Sequence, residues 1–181
     1  MNEDEPIQGI RAALHSDATG LAALLNQLAD EQLEDIGIVI DANPVLPEHG
    51  ATILQLLDSQ GSVLFVAEQG RALVGFLLVA QAEDCAGAFL AGITIAVAGG
   101  HRRRGIGTAL LSAAQAHVMT SGLEGLCLTV RKHNGPAIAL YKKAGCEAIG
   151  ETDSGNKMRW QPRAARDGLP RPSKCYVRAQ E

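Results

Sequence analysis

The stretch Val97-Ala98-Gly99-Gly100-His101-Arg102-Arg103-Arg104-Gly105-Ile106-Gly107-Thr108-Ala109-Leu110-Leu111 reads as an apolar strand, a basic glycine-containing turn and then a helix. That order gathers positive charge and unpaired backbone N–H groups where a helix begins. First-turn N–H groups have no partner inside the helix and the dipole favours an anion, so the spot suits a pyrophosphate. Gly105 and Gly107 let a ligand approach the backbone and tolerate turn dihedrals that a Cβ resists. Alone, the spacing Arg102-x-x-Gly105-x-Gly107 fits an ordinary basic helix entry equally well.

A second constellation lies downstream, in Asn134-Gly135-Pro136-Ala137-Ile138-Ala139-Leu140-Tyr141-Lys142-Lys143-Ala144-Gly145-Cys146. Proline suits the first position of a helix, and Gly145 closes it. Asn134 and Tyr141 are seven residues apart, nearly two helical turns, so they lie along one side. Asn134 is a helix cap, a ligand contact or both; Tyr141 is a core aromatic or a reactive hydroxyl. His101 and His133 flank the two motifs and read as exposed loop histidines. Trp160 reads as packing or as a pocket wall.

Several elements must position these residues. Ile7 to Ala12 reads as a first strand, and Ser16-Asp17 as the cap of a helix carrying Leu21, Leu24, Leu25 and Leu28. That helix ends near the acidic residues Asp30, Glu31, Glu34 and Asp35. A second helix begins near Glu48, uses Ile53, Leu54, Leu56 and Leu57, and stops at Gly61. Ser62 to Glu68 and Ala72 to Ala80 form a hairpin around Gln69-Gly70-Arg71, and Phe89 to Val97 a third, buried strand. The helix after the arginines sets Ile106, Leu110, Ala114 and Val118 on one face and stops at Gly122. Leu126, Leu128 and Val130 alternate as in a strand. Cys146 to Gly150 starts another, running on with a bulge at Asp153-Ser154-Gly155-Asn156 through Trp160, and Lys174 to Arg178 is the last. The expected order is strand, two helices, three strands, helix, strand, helix, two strands, which makes a mixed sheet with helices on its faces.

Composition narrows the possibilities. The chain has 181 residues, 46% of them hydrophobic, which fits one domain with a sizeable core. A net charge of −4 argues against a general nucleic-acid binder despite the local arginines. The acidic start Met1-Asn2-Glu3-Asp4-Glu5-Pro6 lacks the basic region of a secretory signal, and the apolar stretch around Gly87 to Gly100 is too short for a membrane span. Cys85, Cys127, Cys146 and Cys175 contain no C-x-x-C pair and suggest neither a zinc site nor a disulfide framework. Thiols scattered in a reducing cytoplasm are the expectation.

The arginine loop resembles the acyl-CoA pyrophosphate loop of the GNAT acetyltransferase superfamily, and the Asn134–Tyr141 helix resembles a second signature of that family. The two stand in the family's order, separated by one helix and one strand, and the resemblance spans roughly Ile7 to Arg178. It implies one GNAT domain over the whole chain, with a mostly antiparallel sheet, transferring acetyl from acetyl-CoA to a primary amine without a metal. Arg102, Arg103, Arg104, Gly105, Ile106, Gly107 and Thr108 would surround the pyrophosphate, with Arg103 and Arg104 either contributing or merely solvated. Backbone groups of Ile95 and Val97 would pair with the pantetheine arm, Asn134 would contact it, and Tyr141 would give a proton to the leaving thiolate. A small amine or amino acid is the expected acceptor. A protein N-terminus or lysine, or a non-catalytic acyl-CoA-sensing module, is the alternative, and a homodimer is expected by analogy alone.

Three positions depart from the family pattern. Gly99 stands where Pro or Asp is frequent, Cys146 replaces a frequent Phe, and Ala88 to Val97 contains no carboxylate to act as base. A lysine-like amine of pKa ~10.4 is then deprotonated at pH 7.4 at a cost of about 4 kcal/mol, whereas an α-amine of pKa ~7.8 loses under about 1 kcal/mol. The acceptor is therefore expected to be an α-amine or another weak base, unless water connects Glu31, Glu34, Glu83 or Asp84 to the site. The acidic residues 30–35 either help wall the acceptor site or are a solvated helix end.

Overall fold

The computed structural model describes residues 7–31, 44–85 and 88–162. In chain order these form β1 (Ile7–Ala12), α1 (Ala18–Asp30), α2 (Pro47–Ser59), β2 (Val63–Gln69), β3 (Ala72–Cys85), β4 (Ala88–Val97), α3 (Ile106–Ser121), β5 (Gly125–Val130), α4 (Gly135–Lys143), β6 (Glu147–Thr152) and β7 (Gly155–Trp160). One seven-stranded sheet runs β1-β2-β3-β4-β5-β7-β6. Every neighbouring pair is antiparallel except β4–β5. This is the expected mixed α/β architecture.

Strand alternation divides the apolar residues between two cores. On one face Leu64, Val66, Phe76, Leu78 and Ala96 pack with Leu21, Leu24, Leu25 and Leu28 of α1 and Leu54 of α2. On the other, Leu77, Val79, Ile93, Leu126, Leu128 and Met158 pack with Ile106, Leu110, Ala114 and Val118 of α3. Those four α3 residues are at most 1% exposed, as their spacing implies. The two helices of the first face cross closely at Gly50, where a Cβ would lie 2.2 Å from the Ala18 carbonyl oxygen.

Local chemistry corrects two expectations. Asp17 precedes α1 but caps none of its N–H groups. Its carboxylate accepts from the Leu14 N–H at 2.7 Å and from Arg11 Nη1 at 2.6 Å. Arg11 also reaches Glu68 at 3.0 Å, so it ties the α1 entry to β1 and β2. The Arg11 hydrogen bond holds the Asp17 carboxyl below its ordinary value.

The segment after Cys146 is a hairpin of two strands, rather than one bulged strand. Gly155 begins β7 against the end of β5, where a Cβ would stand 2.2 Å from the Val130 carbonyl oxygen. The Thr152 hydroxyl accepts from the Gly155 N–H at 3.2 Å and closes the turn. Chain reversal at Asp153-Ser154 follows, and β7 rather than β6 lies beside β5. The strand expected at 174–178 lies outside the described residues. Among the described residues, no helix is long and apolar enough to cross a membrane.

Candidate active site

β4 and β5 are paired only briefly. Their parallel ladder joins Leu90, Ala91 and Gly92 to Gly125, Leu126 and Cys127. Beyond Gly92, β4 continues on β3 alone, from Ile93↔Val79 to Val97↔Gly75, while β5 continues on β7. The strands therefore part in mid-sheet. Gly125 begins β5 at the far end of this ladder, where a Cβ would lie 2.3 Å from the Trp160 carbonyl oxygen.

A hollow of about 560 Å³ opens beside this split, between the end of β4 and the first turns of α3 and α4. Ile95 and Val97 contribute its β4 wall, and Gly105, Ile106, Gly107 and Thr108 its α3 wall. Arg102, Arg103 and Asn134 reach it too, whereas Arg104 and Tyr141 do not line it. Gly105 caps α3 at φ 85°, ψ −5° and offers no side-chain acceptor to the first-turn N–H groups. Arg103 is also left-handed, at φ 63°, a conformation that costs a non-glycine residue about 1 kcal/mol or more. Gly107 faces α4 so closely that a Cβ would meet Leu140 Cδ2 at 3.2 Å. A dense set of backbone donors at a dipole-positive helix end, approachable without side-chain obstruction, fits a diphosphate.

The side chains around this point are already engaged. Arg102 Nε donates to the Val97 carbonyl at 2.8 Å, and its Nη2 is hydrogen-bonded to Glu31 Oε2. Glu31 Oε1 accepts from the Gly99 N–H at 2.7 Å. Glu31, read from the sequence as acceptor wall or solvated helix end, is thus part of the loop's framework. Glu34 and Asp35 lie outside the described residues, and the side chains of Glu83 and Asp84 are not described. His101, expected to be an exposed loop residue, lines the hollow instead and shares a 2.8 Å hydrogen bond with Gln69, which is only 9% exposed. Lys143, at the end of α4, lines it as well. Both belong to the two motif stretches, but His101 had the composition of an exposed loop residue and Lys143 that of a solvated helix end.

Asn134 caps α4, its Oδ1 accepting from the Ala137 N–H at 3.1 Å. Tyr141 is 6% exposed and belongs to the core beneath α3 and α4. Ala137, four residues earlier on the same face of the helix, lines the hollow. Burial, reinforced by Cys146, pushes the Tyr141 hydroxyl up to about 12. Trp160 packs against the same core.

A smaller hollow, about 280 Å³, lies where β4 and β5 begin to part. Leu78, Gly92, Thr94, Cys127, Thr129 and Lys157 line it. Leu78 faces the α1 side of the sheet and Thr94 is its cross-strand partner, so this hollow opens on the face opposite α3 and α4. Among its described lining residues the only charge is that of Lys157. No group of three or more His, Cys, Asp or Glu among the described residues could hold a metal ion.

The acetyltransferase (GNAT) family model matches residues 23–146. The chain belongs to this family. Its fold is similar to the acetyltransferase of GNAT family from Streptococcus pneumoniae, at 24% identity over 84% of this chain and 98% of that one, with a TM-score of 0.68. Phosphinothricin acetyltransferase from Sinorhizobium meliloti, solved with acetyl-CoA, gives 18% identity over 91% and 92%, with a TM-score of 0.70. Ribosomal-protein-alanine N-acetyltransferase from Brucella melitensis gives 22% identity over 84% and 99%, with a TM-score of 0.68. A search of curated proteins gives no match.

Proposed function

We propose that the chain is an N-acetyltransferase that takes acetyl from acetyl-CoA and places it on the unprotonated α-amine of a small molecule, with a free amino acid as the favoured class. The observation that carries this reading is the uncapped α3 N-terminus opening into the larger hollow. In it, the N–H groups at the start of α3 receive the diphosphate, with Arg103, His101 and Lys143 supplying positive or hydrogen-bonding surroundings and Arg102 holding the loop through Val97 and Glu31. The β4 backbone at Ile95 to Val97, left without β5 as a neighbour, offers an edge for an extended amide-containing arm. Asn134 marks the α4 side of that path. Arg104 does not line the hollow and has at most a peripheral role.

The bound donor supplies an acetyl thioester, an electrophile that an amine attacks directly. The chain's own task is to align the amine and to donate hydrogen bonds where negative charge develops. The acceptor enters from the smaller hollow on the opposite face, so that the split between β4 and β5 is where the two meet. Tyr141, one turn deeper than Ala137, donates its hydroxyl proton towards the leaving sulfur. With the hydroxyl near 12 and a thiol near ~8.5, full transfer is uphill by about 5 kcal/mol, so a shared hydrogen bond is the better description.

The size of the smaller hollow favours a compact acceptor over a polyamine or a protein segment. The described lining holds no carboxylate to deprotonate a strongly basic amine. Titration calorimetry with acetyl-CoA tests the donor site. Micromolar binding is expected for the wild type and its loss in Gly107→Glu; no binding by the wild type refutes the reading. Release of free thiol from acetyl-CoA with a panel of amines then tests transfer.

A further inference from the structure

We infer that Glu31 is a positioning residue for the donor site: its carboxylate braces the arginine loop from the end of α1, and Arg102 serves mainly as the other half of that brace. Three hydrogen bonds form a closed circuit. Glu31 Oε1 accepts from the Gly99 N–H at 2.7 Å, Glu31 Oε2 accepts from Arg102 Nη2, and Arg102 Nε donates to the Val97 carbonyl at 2.8 Å. Both carboxylate oxygens are therefore used by the loop, and two of the three guanidinium nitrogens are used by the protein. The contact spans residues 31 and 102, so it fixes the loop to a separate element of the fold.

Gly99 belongs to this device. A Cβ there would meet Glu31 Oε1, Cδ and Oε2 at 3.1, 3.2 and 3.2 Å. Its departure from the Pro or Asp frequent at this position makes room for the carboxylate. The loop it steadies contains a strained left-handed Arg103 and ends at the left-handed cap Gly105. A strained loop that must present backbone N–H groups loses affinity if it can relax between conformations, because binding must then order it again. The Glu31 side chain is 24% exposed and Arg102 42%, so the ion pair contributes little as bare charge attraction. Its value is geometric.

The inference rests on the proposed donor site, and its test separates the two. Calorimetric Kd values for CoA are measured on wild type, Glu31→Ala, Arg102→Met and the double variant, with the KM for acetyl-CoA and kcat alongside. The brace predicts that each single change weakens CoA binding by about 5- to 30-fold, a loss of about 1–2 kcal/mol. It predicts that the double variant is no worse than either single change. The KM for acetyl-CoA rises while kcat at saturating donor stays within about twofold, a split that general destabilisation would not produce. Glu31→Gln, which keeps an oxygen for Gly99, recovers part of the loss. Gly99→Ala, which keeps both charged partners, reproduces it.

Tighter CoA binding in Glu31→Ala would overturn the inference and make Glu31 a competitor of the phosphates for Arg102. Unchanged binding in Glu31→Ala, or additive losses in the double variant, would overturn it too while leaving the donor site intact. Failure of the wild type to bind CoA removes both readings.

Discussion

Tyr141 shows how one residue's surroundings set its usefulness. Burial pushes its hydroxyl to about 12, which makes it a weaker acid than an exposed tyrosine and, in the proposed reaction, a hydrogen-bond donor rather than a full proton source. Tyr141→Phe is expected to lower kcat by about 10- to 100-fold with little change in CoA affinity, as steady-state kinetics and calorimetry would show. Equal turnover in the two forms would exclude the acid role. The raised value also affects stability. In the unfolded chain the hydroxyl titrates near 10, so its contribution is complete below pH 10 and is lost as pH rises through about 12. The loss is roughly 2–3 kcal/mol. Urea unfolding between pH 9 and 12 should show this alkaline decline in the wild type and a shallower one in Tyr141→Phe.

At the scale of elements, the glycines report where backbone meets backbone. Gly50→Ala places a methyl 2.2 Å from the Ala18 oxygen, where helix α1 cannot yield without losing its leucine packing. The clash outweighs the ~1 kcal/mol gain in helix propensity, and a net loss of about 1–2 kcal/mol in unfolding free energy is expected. A stabilised variant would show that the two helices slide apart easily. Most of the elements were legible in the sequence, because Ile106, Leu110, Ala114 and Val118 repeat at helical spacing and Leu126, Leu128 and Val130 alternate. What failed were local contests. Asp17 had a cap's identity, but Arg11 and the Leu14 N–H hold its carboxylate. Asp153-Ser154-Gly155 had the composition of either a bulge or a turn, and contact with Val130 decided for the turn. The loop that lines the larger hollow could be picked out because its residues are consecutive. The part of Glu31 was not, because only packing brings it from the end of α1 to that loop, and His101, though in the loop's own sequence, gave no sign of its bond to Gln69.

The whole molecule places two hollows on opposite faces of one sheet at the same break in pairing. Because the described lining of the smaller one holds no carboxylate, acceptor basicity is the expected ground of discrimination. Matched α- and ε-amine acceptors at pH 7.4 should differ in kcat/KM by about two to three orders of magnitude in favour of the α-amine, following their ~2.6-unit difference in pKa. The ε-amine rate should climb about tenfold per pH unit up to pH 9. A lysine ε-amine used as readily as an α-amine at pH 7.4 would show that a base reaches the site.

The break between β4 and β5 also bears on solubility. Sheets keep their unpaired edges at the periphery, where a bulge, a charge or a covering loop can discourage a stranger's strand. Here an edge lies in the interior, along Ile93 to Val97, among Ile and Val side chains well suited to β-structure. What protects it is the shape of the gap, which narrows to the closed ladder at Gly92 and Cys127. A slim chain enters such a wedge more easily than a polypeptide strand with side chains on both faces. The ligand that fills it would act as a guard against aggregation. Agitated at 37 °C, the protein should remain clear longer with saturating CoA than without it, beyond the delay that its higher melting temperature alone explains.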